Sequence, residues 1–238
     1  MMRVKKIFIA LSLLTITFFS CQGQPVVPKD FIETTPPKAG TDSWFTLNYS
    51  HNEFGVENQR GHLIVRKVKE VHKGELQLSN GKLFGEDHGE WGGSLTFVPT
   101  DPTQSKKEIK EGNIKYIFRF KDSIYFIDGI AHGSISRGAL YRLDTSDQKF
   151  NYTKILDFED APEAYTIYGD KILIASHEGF YVVKDFQKEQ IVKEAFWTSL
   201  YPNSIAAFDD KNIIIGIRSG IVKLNLLTKG ITFYKYQK

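Results

Sequence analysis

The 238-residue chain has a single cysteine, Cys21, so it can form no internal disulfide and no cysteine-rich metal site. It lacks any apolar run long enough to cross a bilayer. The longest, Ile7–Phe19, has thirteen residues, against the roughly 20 that a spanning helix needs. No segment keeps a helical period of apolar residues over about ten positions, which argues against helical bundles and α/β folds. The familiar catalytic strings are missing as well. There is no Gly-rich phosphate loop, no Gly-x-Ser-x-Gly elbow and no Asp-rich calcium loop, and His177-Glu178 lacks the second histidine of a zinc helix. The sequence therefore offers no cofactor, no metal and no catalytic residue to expect, and it leans away from an enzyme.

A surplus of one charge is lacking too, once the amino terminus is set aside. The full chain holds 31 Lys and Arg against 28 Asp and Glu. Arg3, Lys5 and Lys6 make up the difference, and residues 21–238 carry 28 of each. A neutral domain has no electrostatic footprint for nucleic acid or for an anionic membrane.

What the amino terminus does have is the order of parts of a secretory signal. The positive Arg3, Lys5 and Lys6 are followed by the apolar stretch Ile7–Phe19, and small Ser20 precedes Cys21. Residues 1–20 resemble a bacterial lipoprotein signal, in which a small residue precedes a cysteine that takes lipid on its thiol and becomes the new N-terminus. Phe18 and Phe19 depart from the usual leucine and small residue of that pattern. The resemblance implies removal of residues 1–20, an acyl anchor such as palmitate on Cys21, and a place in the cell envelope. Gln22, in place of aspartate, points to the outer membrane. Lipid chains anchor at about 0.8 kcal/mol per buried methylene, without any protein contact. Pro25, Pro28, Pro36 and Pro37 are half of the chain's eight prolines. Residues 21–41 are therefore expected to be the lipid anchor and an extended, semi-stiff tether.

Residues 42–238 read as one all-β domain. Short runs rich in Ile, Val, Phe and Tyr recur between Gly, Asn and Asp. Four stretches superimpose: Leu76–Val98, Ile114–Leu143, Tyr165–Val183 and Ile205–Leu224. Each has a short apolar strand, a tight turn, a second apolar strand, a turn bearing His or Arg, a glycine and a third strand. The tight turns are Ser79-Asn80-Gly81-Lys82, Lys121-Asp122-Ser123, Gly169-Asp170-Lys171 and Asp209-Asp210-Lys211-Asn212, whose Asn-Gly, Gly-Asp and Asp-Asp pairs tolerate the positive φ of two-residue hairpins. The glycines Gly93, Gly138, Gly179 and Gly220 stand 45, 41 and 41 residues apart. Second strands such as Ile172–Ile174 and Ile213–Ile215 are continuously apolar, as when both faces of a sheet are covered. Units of this length, each covered by its neighbours, resemble short β-propeller blades. Ile155–Phe158 and Ile231–Tyr234 are expected as outer fourth strands. Trp44–Ser50 with Gly61–Lys67 is expected as an irregular first blade, giving about five. A β-sandwich is the alternative, though it gives no reason for the repeated turn chemistry.

Strand alternation places all the turns between second and third strands on one face, together with the links between blades. Those turns contain His88, Glu90 and Trp91, then His132 and Arg137, then His177, then Arg218. These seven residues are the candidate ligand-binding set: a polar ring with Trp91 as an aromatic platform. The opposing reading is that each His or Arg bonds local carbonyls and only makes its turn. Three histidines on separate blades would have to converge within about 2.1 Å of one ion, so a metal is not expected. The linker Phe196–Pro202 should reach the same face, as contact surface or as packing. The expected function is a membrane-anchored envelope lipoprotein that binds or scaffolds a protein or glycan. An envelope enzyme acting on carbohydrate or peptide, and an immunity lipoprotein that neutralises a toxin, are the alternatives.

Overall fold

The computed structural model describes residues 24–68, 74–146 and 149–237; Cys21 and the signal lie outside them. Turn chemistry decides where the strands end. Two-residue hairpins close at Ser79-Asn80, Lys121-Asp122, Gly169-Asp170 and Asp210-Lys211, one within each of the four expected turns. Lys121, Asp122 and Gly169 have φ of 46°, 61° and 60°, values that let a short turn follow the right-handed twist of its strands. Arg60-Gly61 and Asp185-Phe186 close two further hairpins, both residues of each at positive φ.

The hairpins build five antiparallel sheets, or blades. The first has two strands, β2 (Phe54–Gln59) and β3 (His62–Lys67). The second has β4 (Gly74–Leu78), β5 (Gly81–Gly85), β6 (Ser94–Pro99) and β7 (Lys107–Glu111). The third has β8 (Ile114–Phe120), β9 (Ser123–His132), β10 (Ile135–Asp144) and β11 (Asn151–Phe158). The fourth has β12 (Pro162–Tyr168), β13 (Lys171–Ser176), β14 (Phe180–Lys184) and β15 (Gln187–Val192). The fifth has β16 (Ser204–Asp209), β17 (Asn212–Ile217), β18 (Gly220–Leu224) and β19 (Ile231–Tyr236), with β1 (Phe31–Thr34) beyond β19. From the second blade on, the strands of each repeat follow sequence order, so β11 and β19 are the fourth strands of their repeats, β19 with β1 outside it.

Among the described residues, four apolar cores lie between successive blades. Leu83, Phe97 and Ile117 join the second to the third, and Phe118, Ile127 and Ile174 the third to the fourth. Leu173, Phe180 and Ile215 join the fourth to the fifth, and Phe54, Val56 and Ile214 the fifth to the first. A sandwich keeps one core between two sheets; a series of sheets, each covered by its neighbours, is propeller-like. Strand patterns follow from this. β13 and β17, in blades covered on both sides, are buried almost throughout, whereas β5 alternates. Among the described residues no apolar core joins the first blade to the second, so Lys82 and Phe84 on that side of β5 stay partly exposed.

The repeated glycines mark places where a third strand crosses a neighbouring backbone. A Cβ on Gly93 would lie 2.1 Å from the Glu86 carbonyl oxygen, and one on Gly220 2.3 Å from that of Tyr234.

Two expectations need correction. Trp44–Ser50 is not a strand: Asp42–Asn48 form a helix, α1. Thr41 caps it, its Oγ1 accepting from Trp44 N at 3.4 Å, and Asp42 sits favourably in the first turn. Trp44 and Leu47, one turn apart, bury the same face in the core between the fourth and fifth blades. The second correction concerns the tether. Phe31–Thr34 pairs antiparallel with β19, from Phe31↔Tyr236 to Thr34↔Phe233. Phe31 is buried against Phe54 and Tyr236, ring centres 4.9 and 5.4 Å away. The chain thus joins the fold well before Thr41. Among the described residues no helix is long and apolar enough to cross a membrane.

Candidate functional site

The inner strands β8, β12 and β16 begin at the face where the turns between second and third strands open, and hydrogen bonds stitch the two together. Ile114 N donates to Glu86 O at 2.9 Å, and Asn113 Nδ2 to Gly89 O at 2.8 Å. His177 N donates to Ala161 O at 2.8 Å, Ala195 N to Glu178 O at 2.8 Å, and Arg218 N to Leu200 O at 2.7 Å. Asp160, buried in the link before β12, accepts from Ser136 Oγ and from Glu178 N, both at 2.6 Å. The four turns and the links between blades therefore share one rim.

The seven candidate residues behave differently on it. In the longest turn, Gly89–Trp91 form one turn of 3-10 helix, and His88 N donates to Gly92 O at 2.7 Å. That turn lifts Trp91 into solvent, 84% exposed. His88 is exposed beside it. Glu90 meets His132 of the next blade, Oε2 to Nε2, at 3.0 Å, so these two are brought together. His177 is half-buried; its Nε2 lies 3.5 Å from Ser199 Oγ. Arg218 is engaged within the protein. It donates to Glu53 Oε1 at 2.7 and 3.2 Å and to Asn48 O at 2.8 Å, and its guanidinium lies 4.4 Å from the Tyr201 ring centre. Arg137 stands apart from the turns, on β10, and lines a separate cleft. Among the described residues no three His, Cys, Asp or Glu side chains gather closely enough to hold a metal ion.

The rim holds more than the sequence pattern suggested. Lys115, second residue of β8, reaches Asp87 Oδ2 at 2.8 Å and Glu163 Oε2, second residue of β12, at 3.4 Å. This chain crosses three blades and is largely buried. Burial pushes the Glu163 carboxyl above its ordinary range, with Lys115 and His177 pulling the other way. Burial works against the Lys115 charge, but Glu163 and Asp87 more than offset it and hold the ammonium above the usual lysine value. The signal available in sequence was a charge near the start of each inner strand, in Ile114-Lys115-Tyr116-Ile117 and Pro162-Glu163-Ala164.

The aromatics of helix α1 were missed, while the linker Phe196–Pro202 reaches this face as expected. Phe45 and Tyr49 of the α1 region stack at 5.9 Å and are exposed, as is Tyr201 beside Arg218. The linker around them divides its roles: Trp197 and Leu200 are fully buried, while Tyr201 faces out. Among the described residues, four buried side-chain atoms have no partner in the protein: Asn113 Oδ1, Ser176 Oγ, His177 Nδ1 and Asn203 Nδ2. All four belong to this rim, two in the turn of the fourth blade and two immediately before β8 and β16.

No protein-family model matches the chain, and no curated protein sequence matches it. Several solved structures align with part of the chain at low sequence identity. The computationally designed Ika8 protein is 8% identical, with a TM-score of 0.39, over 69% of this chain and 45% of its own. The tricorn protease is 13% identical, with a TM-score of 0.41, over 71% of this chain and 18% of its own. The designed Ika4 protein is 6% identical, with a TM-score of 0.39, over 71% of this chain and 94% of its own. The chain thus spans less than half the length of the first two.

Proposed function

We propose that this protein is a binding module of the cell envelope, held by a lipid on Cys21, and that the turn-bearing rim receives its partner, a protein or a glycan. The observation that carries this reading is a coincidence on one rim. The exposed Trp91, Tyr49 and Tyr201 lie on the same side of the molecule as all four unpartnered buried polar atoms. Exposed Trp and Tyr are the side chains that most often anchor an interface, being large, stiff and amphipathic. Polar atoms without protein partners need water or a ligand to satisfy them. The anchor rests on the sequence alone, on Arg3, Lys5, Lys6, the apolar stretch and Cys21.

Two experiments test the parts separately. Changing Cys21→Ala should abolish labelling by a fatty-acid analogue and release the protein to the soluble fraction; unchanged labelling overturns the anchor. For the rim, the full chain is titrated with solubilised envelope polysaccharide and, in parallel, with solubilised envelope proteins, wild type against Trp91→Ala. A loss of about thirtyfold in one arm is expected, corresponding to the roughly 2 kcal/mol of a central aromatic. Equal binding by both forms in both arms overturns the assignment of the rim.

A further inference from the structure

A cleft of about 490 Å³ opens between β7 of the second blade and β9, β10 and β11 of the third. That lies within the roughly 300–1,000 Å³ of small-molecule sites. Two cations in its wall are already neutralised: Lys110 by Asp128 at 2.8 Å, and Lys154 by Asp157 at 2.7 Å. Arg137 is not. Among the described residues no carboxylate lies within ion-pair distance of its guanidinium, and none of its N–H groups is bonded inside the protein. Glu111, in the same wall, likewise has no partner for its carboxylate. Asn113, also in the wall, is held in place by its amide nitrogen, which donates to Gly89 O at 2.8 Å.

We propose that this cleft is a binding site for a small molecule bearing a carboxylate together with an N–H or O–H donor. The carboxylate meets Arg137, whose planar fork matches it with two parallel hydrogen bonds. The donor meets the carboxylate of Glu111. Gly112, Gly129 and Gly138 line the wall, and Ala139 and Phe158 give it an apolar floor. Two sources share this chemistry. In an amino acid or short peptide the donor is an ammonium; in a sugar acid it is a hydroxyl. The site stands on its own wall and does not depend on what the rim turns bind.

The test uses the ¹⁵N-labelled full chain in detergent micelles, titrated with dialanine and, separately, with glucuronate. The amide signals of Gly112, Gly129 and Gly138 report occupancy. Saturable shifts are expected with at least one probe, with Kd near or below about 1 mM. Arg137→Ala should weaken that probe at least about tenfold, the worth of one charged hydrogen bond, and Trp91→Ala should leave it unchanged. Arg137 is exposed, so its removal should not unfold the chain; a thermal melt confirms this. Glu111→Gln separates the sources: lost affinity for dialanine marks an ammonium, undiminished affinity for glucuronate a hydroxyl. No saturation by either probe below about 10 mM, or equal binding by Arg137→Ala, overturns the site.

Discussion

The guanidinium of Arg218 is committed to Glu53, Asn48 and the face of Tyr201, so it ties helix α1, the start of β2 and the linker before β16 to the fifth blade. Its removal would leave Glu53, two-thirds covered, without a counter-charge. Arg218→Ala should therefore lower stability by about 2 kcal/mol in urea unfolding, before any effect on binding. His132 gives the opposite expectation. Its pair with Glu90 is exposed on both sides, so His132→Ala should shift stability by less than about 0.5 kcal/mol. Sequence reading placed both residues in one set because it sees register, and register fixes the rim without showing which side chains find partners there. Glu163 carries a pH signature. Its carboxyl is raised in the fold, so the folded protein holds that proton to higher pH than the unfolded chain does. The associated stability is present below the ordinary carboxylate value and is lost as pH rises through the raised one. Against Glu163→Gln, the wild type should thus lose stability as pH rises across the carboxylate range. A difference that stays constant with pH would contradict the buried, raised carboxyl.

Among the elements, β1 shows most clearly what local pattern conveys and what it does not. The hairpins were legible because Gly, Asn and Asp favour tight turns, although of the four only Lys121-Asp122 and Gly169 take positive φ. β1 was not legible. Its partner β19 lies at the opposite end of the chain, and the prolines at 28 and 36 that flank it read as tether. Helix α1 escaped for another reason: seven residues make two turns, too few for a period to stand out, and its stability comes from Trp44 and Leu47 in a distant core. The tether is therefore not dispensable in full. Phe31→Ala should cost about 3 kcal/mol, the usual range for emptying a buried aromatic site. Cutting the chain before Thr41 should cost at least as much, because it also leaves the β19 edge unpaired. Urea unfolding measures both, and an unchanged midpoint for either would show that β1 is not docked.

Across the whole molecule, stability comes from cores between blades. The repeat spacing made that legible in advance, since a sheet apolar on both faces needs a neighbour on each side. The last strands serve two of these cores: Val222, Leu224 and Phe233 face the fourth blade, and Ile221 faces the first. Removing Gly220–Lys238 should abolish cooperative unfolding, and a truncated chain that still melts cooperatively would mean the blades fold independently. The function asks more than packing can supply, because it depends on what meets the rim. A photo-crosslinking residue placed at Trp91 or Tyr49 of the full chain, in its native envelope, tests that most directly, with Tyr152 of β11 and Ile167 of β12 as exposed controls away from the turns. A discrete cross-linked species from positions 91 and 49, absent from 152 and 167, is the expected result. Cross-links confined to the control positions, or equal at all four, would contradict a partner-binding rim.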